Sequence, residues 1–223
     1  MKIIAHRGAR AEEPEDTIRA VKRAFECGAD AVEIDVRLSK DREIVVIHDD
    51  TLERTTNGFG KVDEKTLEQL RTLDAGKGEK IPKLVEALLL AENLGLELVI
   101  ELKEEGMEEM VVHEIVGAGM EKSVIVSSFY HASLLKIKEL APRIKTGVII
   151  SSLPVLPVKI AIDARAEVIF PKYPRLNREF VAEASKEGIE IYPWTVNTRE
   201  DLGKAIELGV EGVVTDDPCK LKV

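Results

Sequence analysis

Apolar and polar positions along the chain fall into two alternating textures. Short, nearly continuous apolar runs rich in Val, Ile and Leu occur at KIIAH (2–6), AVEIDVRL (31–38), EIVVIH (43–48), LELVIEL (96–102), SVIVSSF (123–129), IKTGVII (144–150), AEVIFPK (166–172), IEIYPWTV (189–196) and VEGVVTD (210–216). Between them, apolar residues recur every three to four positions, as in DTIRAVKRAFECG (16–28), PKLVEALLLAENLG (82–95), NREFVAEASKEG (177–188) and TREDLGKAIELG (198–209). The first texture predicts strands buried on both faces, the second amphipathic helices that cover them. Several of these helices open on a capping residue and stop at Gly. The rhythm as a whole predicts a parallel sheet sheathed by helices.

Nine strands are one more than an eightfold barrel takes. The odd one is EIVVIH, because only SKDR separates it from the strand before. A parallel crossover needs about a dozen residues or more, so these two strands form an antiparallel hairpin. Eight strands then remain for a (β/α)8 TIM barrel, an α/β fold distorted by a hairpin after strand 2. With the turn centred on Lys40-Asp41, Glu33 is expected to face His48, and Asp35 to face Val46. No GxGxxG follows the first strand, which argues against a dinucleotide fold. Residues 50–81 hold turn signals, a short helix and many charges but no strong strand, and read as a small insertion over one barrel end. Residues 1–223 are thus expected to form a single domain, a length α/β barrels reach without splitting.

Charge narrows the partners. A net charge of −9 and a pI near 5.2 lack the basic footprint of a nucleic-acid binder. No apolar run approaches the ~20 residues of a membrane span. The opening MKIIAHRG leaves no room for a signal peptide's apolar stretch, so a cytoplasmic protein is expected. Cys27 and Cys219 stand far apart in no ligand spacing and are expected to be isolated thiols. Charged residues reach 33%, with Gln69 the sole glutamine, a bias suited to a heat-adapted surface of ion pairs.

Catalytic groups of a parallel barrel sit at the carboxyl ends of its strands. Here those ends carry His6-Arg7-Gly8, Glu33 with Asp35, Glu101-Leu102-Lys103, Ser127-Ser128, Lys172, Trp194 and Asp216. The hairpin adds His48. Glu33 and Asp35 could decorate a solvated edge, but an edge there leaves the barrel a strand short. Three converging carboxylates (Glu33, Asp35, Glu101) repel one another unless a cation compensates them, and an all-oxygen set suits Mg²⁺, Ca²⁺ or Mn²⁺ better than zinc. Arg7 and Lys103 beside them suit an anionic substrate, phosphate above all. Arg37, on the face of Glu33 and Asp35, balances their charge. His113 and His131 fall in helical stretches and read as structural.

On HRG (6–8), PEDT (14–17), EIDV (33–36), VIHDDTLERTTNG (46–58), TLEQLRTLDAG (66–76), ELK (101–103), WTVN (194–197) and GVEGVVTDDP (209–218), taken in order, the chain resembles the glycerophosphodiester phosphodiesterase family. The resemblance covers essentially the whole chain. It implies a TIM barrel with a small insertion, one divalent cation on Glu33, Asp35 and Glu101, and His6 and His48 as the acid/base pair. It implies further that Arg7 and Lys103 hold the phosphoryl oxygens and that Trp194 lines the glycerol or head-group side. Glu15 is expected either to ligate the cation or brace its ligands, or only to tie down the first loop. The expected products are sn-glycerol 3-phosphate and an alcohol such as choline or ethanolamine. The nucleophile is water, or the glycerol 2-hydroxyl by way of a cyclic phosphate. A lysophospholipase D acting on lysophospholipids is the alternative; it needs an apolar entrance, which residues 50–81 do not obviously provide. One departure is PEDT where the family has PENT. Asp16 there is expected to cap the following helix while bringing another negative charge near the site.

Overall fold

The computed structural model describes residues 1–221. Eight parallel strands form one sheet in the order β8-β7-β6-β5-β4-β2-β1-β9. They are β1 (Lys2–His6), β2 (Ala31–Leu38), β4 (Glu97–Leu102), β5 (Val124–Ser128), β6 (Lys145–Ile150), β7 (Val168–Pro171), β8 (Glu190–Ile191) and β9 (Gly212–Thr215), while β3 (Ile44–Val46) pairs antiparallel with β2. The sheet curls into a nearly closed (β/α)8 TIM barrel. Beyond β8 the closure is thin, because Pro193 has no N–H to give a ladder. The Val214 N–H donates to the Pro193 carbonyl at 2.9 Å, and the Val196 N–H to the Val214 carbonyl at 2.9 Å. The run 189–196 is therefore regular strand only at its start.

Helices α1 (Ile18–Glu26), α3 (Leu84–Leu94), α4 (Glu108–Gly117), α5 (His131–Leu140), α6 (Pro157–Asp163), α7 (Arg178–Lys186) and α8 (Arg199–Leu208) sheathe the barrel. Their apolar stripes, such as Leu84, Leu88 and Ala91 of α3, pack on outward strand residues such as Val32, Ile34 and Leu98 in one continuous core. Each fully buried Leu or Ile there contributes about 1.5–3 kcal/mol. A smaller cluster fills the barrel itself: Ile4, Ala31, Val99, Ile125, Ile149, Val168, Phe170, Tyr192 and Val214. Residues 50–81 carry α2 (Leu67–Thr72) and fold over β3 on their own apolar cluster, in which Leu52, Val62, Leu70 and Ile81 meet Val45 and Ile47.

Four expectations need correction. The hairpin pairs Val36 with Val46, Arg37 with Val45 and Leu38 with Ile44, one residue out of the expected register. Its loop has three residues rather than two. The Arg42 N–H donates to the Ser39 carbonyl and the Ser39 N–H to the Glu43 carbonyl, with Arg42 in the left-handed region at φ 63°. Asp35 thus lies opposite Ile47, not Val46, and His48 stands beyond the ladder rather than across from Glu33. Nor does Arg37 pair with Glu33 or Asp35: its Nε donates to the His48 carbonyl at 2.8 Å, fixing that backbone, and its guanidinium approaches Glu104 at 3.7 Å.

Asp16 does not cap α1; Thr17 does, its hydroxyl accepting the Ala20 N–H. Nor are the cysteines isolated. Cys27, at the end of α1, is bonded to Cys219 in α9 (Pro218–Leu221), with Cα atoms 4.6 Å apart. Closure of the barrel explains this, because β9 pairs with β1 and the segments following those two strands meet. The bond spans 192 residues. In chain-entropy terms a loop of that size stabilises by up to about 5 kcal/mol, and measured bridges give typically about 2–4. We expect a Cys27→Ser/Cys219→Ser protein to melt roughly 5–15 °C below the oxidised parent. Superimposable calorimetric traces would show that the bridge contributes nothing.

Candidate active site

Strand alternation builds the site. Residues that point into the barrel share a parity within each strand, and the lower ones form the apolar plug. One step further up the same faces come His6 above Ile4, Glu33 and Asp35 above Ala31, Glu101 above Val99, Ser127 above Ile125, Trp194 above Tyr192 and Asp216 above Val214. Sheet register aligns them across strands, with His6 beside Glu33, Asp35 beside Glu101 and Glu101 beside Ser127. They surround a cleft lined by His6, Arg7, Glu33, His48, Glu101, Lys103, Ser127, Phe129 and Trp194, with Asp35 buried beneath. His113 and His131 do not line it, and the His131 ring instead meets the Ile149 carbonyl.

The first loop sits close for a steric reason. Gly8 takes φ 78°, and a Cβ there would fall 2.6 Å from the Ala20 Cβ and 2.7 Å from its backbone carbon. Only glycine lets HRG lie directly on α1. Arg7, itself left-handed at φ 55°, then turns its guanidinium inward.

Glu33, Asp35 and Glu101 each place a carboxylate oxygen within 4.8 Å of the others'. Glu33 Oε2 accepts the Arg7 backbone N–H at 2.9 Å, but Glu33 Oε1 is buried without a hydrogen-bond partner among the described residues. Arg7 Nε approaches Asp35 Oδ2 at 3.0 Å and Lys103 Nζ approaches Asp35 Oδ1 at 3.3 Å, yet neither approach has hydrogen-bond geometry. Lys103 Nζ donates to Glu101 Oε1 at 2.5 Å. Burial first, then Asp35, pushes the Glu101 carboxyl up to about 7 against the pull of Lys103. Burial, with Asp35 and Glu101, likewise carries Glu33 well above the usual range. Asp16, at φ 58°, points inward so that Oδ1 accepts the Asp35 N–H at 3.2 Å. Burial and Asp35 raise its carboxyl too. Buried, mutually repelling carboxyls with unpartnered oxygens fit a hard divalent cation.

Glu15 does not join them. Its oxygens are taken by Arg7 at 2.8 Å, Arg54 at 2.8 and 3.0 Å, and Arg10 at 3.2 Å. Those guanidiniums overcome burial and hold its carboxyl at about 2. Glu15 therefore anchors Arg7.

Both imidazoles are backed by carboxylates that the sequence reading left without that role. His6 Nδ1 lies 2.6 Å from Asp216 Oδ1. Asp216 is itself fixed, since Asn197 Nδ2 donates to its Oδ2 at 2.8 Å and the Asn197 Oδ1 accepts its backbone N–H at 2.9 Å. Although burial opposes it, His6, Asn197 and Arg10 keep this carboxyl at about 2. His48 Nδ1 lies 2.5 Å from Asp49 Oδ1, and Arg54 clamps Asp49 with contacts of 2.5 and 2.9 Å. Ionised carboxylates only accept, so each Nδ1 carries its proton and each Nε2 is left as the free nitrogen. Burial first of all, with Lys103 and Arg7, lowers His48 despite Asp35 and Asp49. The signals were the acids in IHDD and VTDD and the asparagine of WTVN, each next to or a few residues from a residue already singled out. Trp194 is locked by its Nε1–H to the Phe170 carbonyl at 2.9 Å and meets Phe129 edge-on, with ring centres 6.2 Å apart.

A nearly closed parallel barrel with its polar groups gathered at the carboxyl ends of the strands has the layout of a TIM-barrel enzyme. Residues 6–220 match the profile of the glycerophosphoryl diester phosphodiesterase family. A glycerophosphodiester phosphodiesterase of Caldanaerobacter subterraneus subsp. tengcongensis is 42% identical over 228 residues, which span 97% of this chain and 94% of that one. Among solved structures, an Oleispira antarctica phosphodiesterase in complex with the product sn-glycerol-3-phosphate is similar with a TM-score of 0.91 at 30% identity, covering 99% of this chain and 95% of that one. The glycerophosphodiester phosphodiesterase of Thermotoga maritima gives a TM-score of 0.82 at 30% identity, covering 98% and 96%. The chain therefore belongs to the glycerophosphoryl diester phosphodiesterase family. Among the described residues, no helix is long and apolar enough to cross a membrane.

Proposed function

We propose that this protein hydrolyses small glycerophosphodiesters to sn-glycerol 3-phosphate and an alcohol in a divalent-cation-dependent reaction, with His6 and His48 moving the protons. The observation that carries the reading is the buried trio Glu33, Asp35 and Glu101, short of hydrogen-bond partners, between two cations and two carboxylate-backed imidazoles. Those three carboxylates would hold the ion, and Mg²⁺, Ca²⁺ and Mn²⁺ all match the oxygen set. When bound, such an ion supplies positive charge against the phosphoryl group as negative charge grows there. Arg7, steered by Glu15, and Lys103 bind the phosphoryl oxygens and orient the phosphorus. One imidazole Nε2 accepts the proton of the attacking hydroxyl, and the other donates a proton to the departing alcohol oxygen. The P–O bond to the nucleophile forms as the P–O bond to the alcohol breaks.

A second reading, hydrolysis of lysophospholipids, is favoured by one feature. The apolar residues of 50–81 mostly turn inward, but Leu153, Val155 and Leu156 stand exposed in the segment between β6 and α6, with Phe129 half-exposed after β5. An apolar apron of this kind suits an acyl chain. Coupled detection of glycerol 3-phosphate from glycerophosphocholine and glycerophosphoglycerol, with and without EDTA, tests the first reading. Release is expected, and EDTA should abolish it. Undiminished turnover in EDTA refutes the cation dependence. Turnover confined to a lysophosphatidylcholine control moves the answer to lysolipids.

A further inference from the structure

Lys172 plays no part in the chemistry above, yet the strand pattern aims it at the cleft. Val168 and Phe170 of β7 point into the barrel, and Lys172 follows at the same parity, one step nearer the mouth. Its main chain is fixed there by a parallel bridge to Trp194 and by its N–H donating to the Ile150 carbonyl at 2.9 Å. The ammonium lies over the indole of Trp194, 5.9 Å from the ring centre. No ion pair engages Lys172 or nearby Arg175 among the described residues, although the chain carries a net charge of −9. An uncompensated cation at the rim of the cleft is thus held against the one tryptophan that lines it.

This placement bears on the leaving alcohol. Quaternary ammonium groups are recognised by the open faces of aromatic rings. Here one face of Trp194 is covered by Lys172, and Phe129 packs edge-on against the same ring. A positively charged head group would meet a like charge instead of an aromatic cage. An anionic one would meet an opposite charge.

We propose that Lys172 selects the alcohol side of the substrate by charge, favouring glycerophosphodiesters whose alcohol is neutral or carries a second anion over those bearing a quaternary ammonium. The inference rests on the hydrolytic reading above and names its substrate class. Two unit charges about 7 Å apart at the edge of a protein interact strongly enough to change a rate ratio by about tenfold.

The test compares kcat/KM for glycerol 3-phosphate release from three substrates, namely glycerophosphocholine, glycerophosphoglycerol and bis(glycerophospho)glycerol. The parent protein and a Lys172→Gln variant are measured at low and high salt. Lys172 is exposed, so the substitution leaves the core untouched. The parent should rank the bis-phosphodiester first and the choline ester last. Lys172→Gln should shift the anion-to-choline ratio about tenfold towards choline, and 1 M salt should narrow the parent's ratio in the same direction, since the Debye length there is only about 3 Å. A parent that prefers choline, or a ratio the variant leaves unchanged, overturns the role of Lys172 while hydrolysis itself stands. No release from any of the three by the parent overturns the hydrolytic reading and this one with it.

Discussion

Replacing either His6 or His48 by alanine is expected to lower kcat by roughly 10²–10⁴-fold, the usual worth of a positioned proton donor or acceptor. Both residues line the cleft, and both have Nδ1 committed to a carboxylate, so each offers a single free nitrogen. KM should move less than kcat. On the proposed reading phosphoryl binding would fall to Arg7 and Lys103, and neither of their side chains is held by an imidazole. Burial keeps His48 below 6.5, so it stands neutral near pH 7 and can accept a proton. If the two histidines act as a pair, the double variant should cost less than the product of the two single losses, since groups that act as a unit are not additive. Steady-state kinetics on protein checked by circular dichroism would settle the matter. Near-normal turnover in either single variant overturns the assignment of that histidine.

The carboxylates behind the imidazoles extend this expectation. Asp216→Asn keeps an acceptor oxygen near Nδ1 but removes the charge and permits the opposite amide orientation, which puts a donor against the ring. A merely structural role for Asp216 predicts a stability loss with an unchanged kcat pH profile. A positioning role predicts a displaced profile in well-folded protein, with kcat falling more than KM rises.

What was legible from the chain follows from which physical signals are local. Period-two alternation is local, and it places Glu33, Asp35, Glu101 and His6 on inward faces above an apolar plug, as the structure does. The four-residue gap between 38 and 43 is local too, and the hairpin it required is present. Its register was not legible, because a two-residue and a three-residue loop differ by whether Arg42 enters the left-handed region. Arginine does so only seldom, with nothing in the side chain to announce it. The cap of α1 failed for a related reason. Asp16 and Thr17 both suit a cap, and the site drew Asp16 inward to the Asp35 N–H, leaving Thr17 for the helix. The Cys27–Cys219 bond is a consequence of barrel closure and has no local trace. The same holds for Arg54, which reaches from the 50–81 excursion to Asp49 and Glu15 and so ties His48 to Arg7.

The carboxylate trio should also reverse the pH dependence of stability according to whether a cation is present. Without one, Glu101 titrates near 7 in the folded protein against 4.5 as its ordinary value. A carboxyl raised in this way stabilises the fold while it is protonated. That contribution is complete below about 4.5 and is lost as the pH climbs through about 7; at about 1.4 kcal/mol per unit, the loss is about 3 kcal/mol for Glu101. Glu33 is displaced in the same direction by burial and the same neighbours. Glu15 and Asp216, held at about 2, contribute the other way, with stability present above about 4 and lost only as the pH falls towards 2. In EDTA the melting temperature should therefore peak in mildly acidic solution and fall between pH 5 and pH 8. A divalent cation at this site would bind the deprotonated trio, so its effect should grow with pH. At a hundred times its dissociation constant it adds about 2.7 kcal/mol, which for a chain of this size raises the melting temperature by roughly 5–10 °C. Mg²⁺, Ca²⁺ or Mn²⁺ should thus flatten or invert the decline seen in EDTA. Glu33→Gln, which removes one repelling charge and one candidate ligand, should soften the decline and weaken the response to the ion together. Stability in EDTA that keeps rising to pH 8, with no response to any of the three ions, would show that these carboxylates are not a cation site.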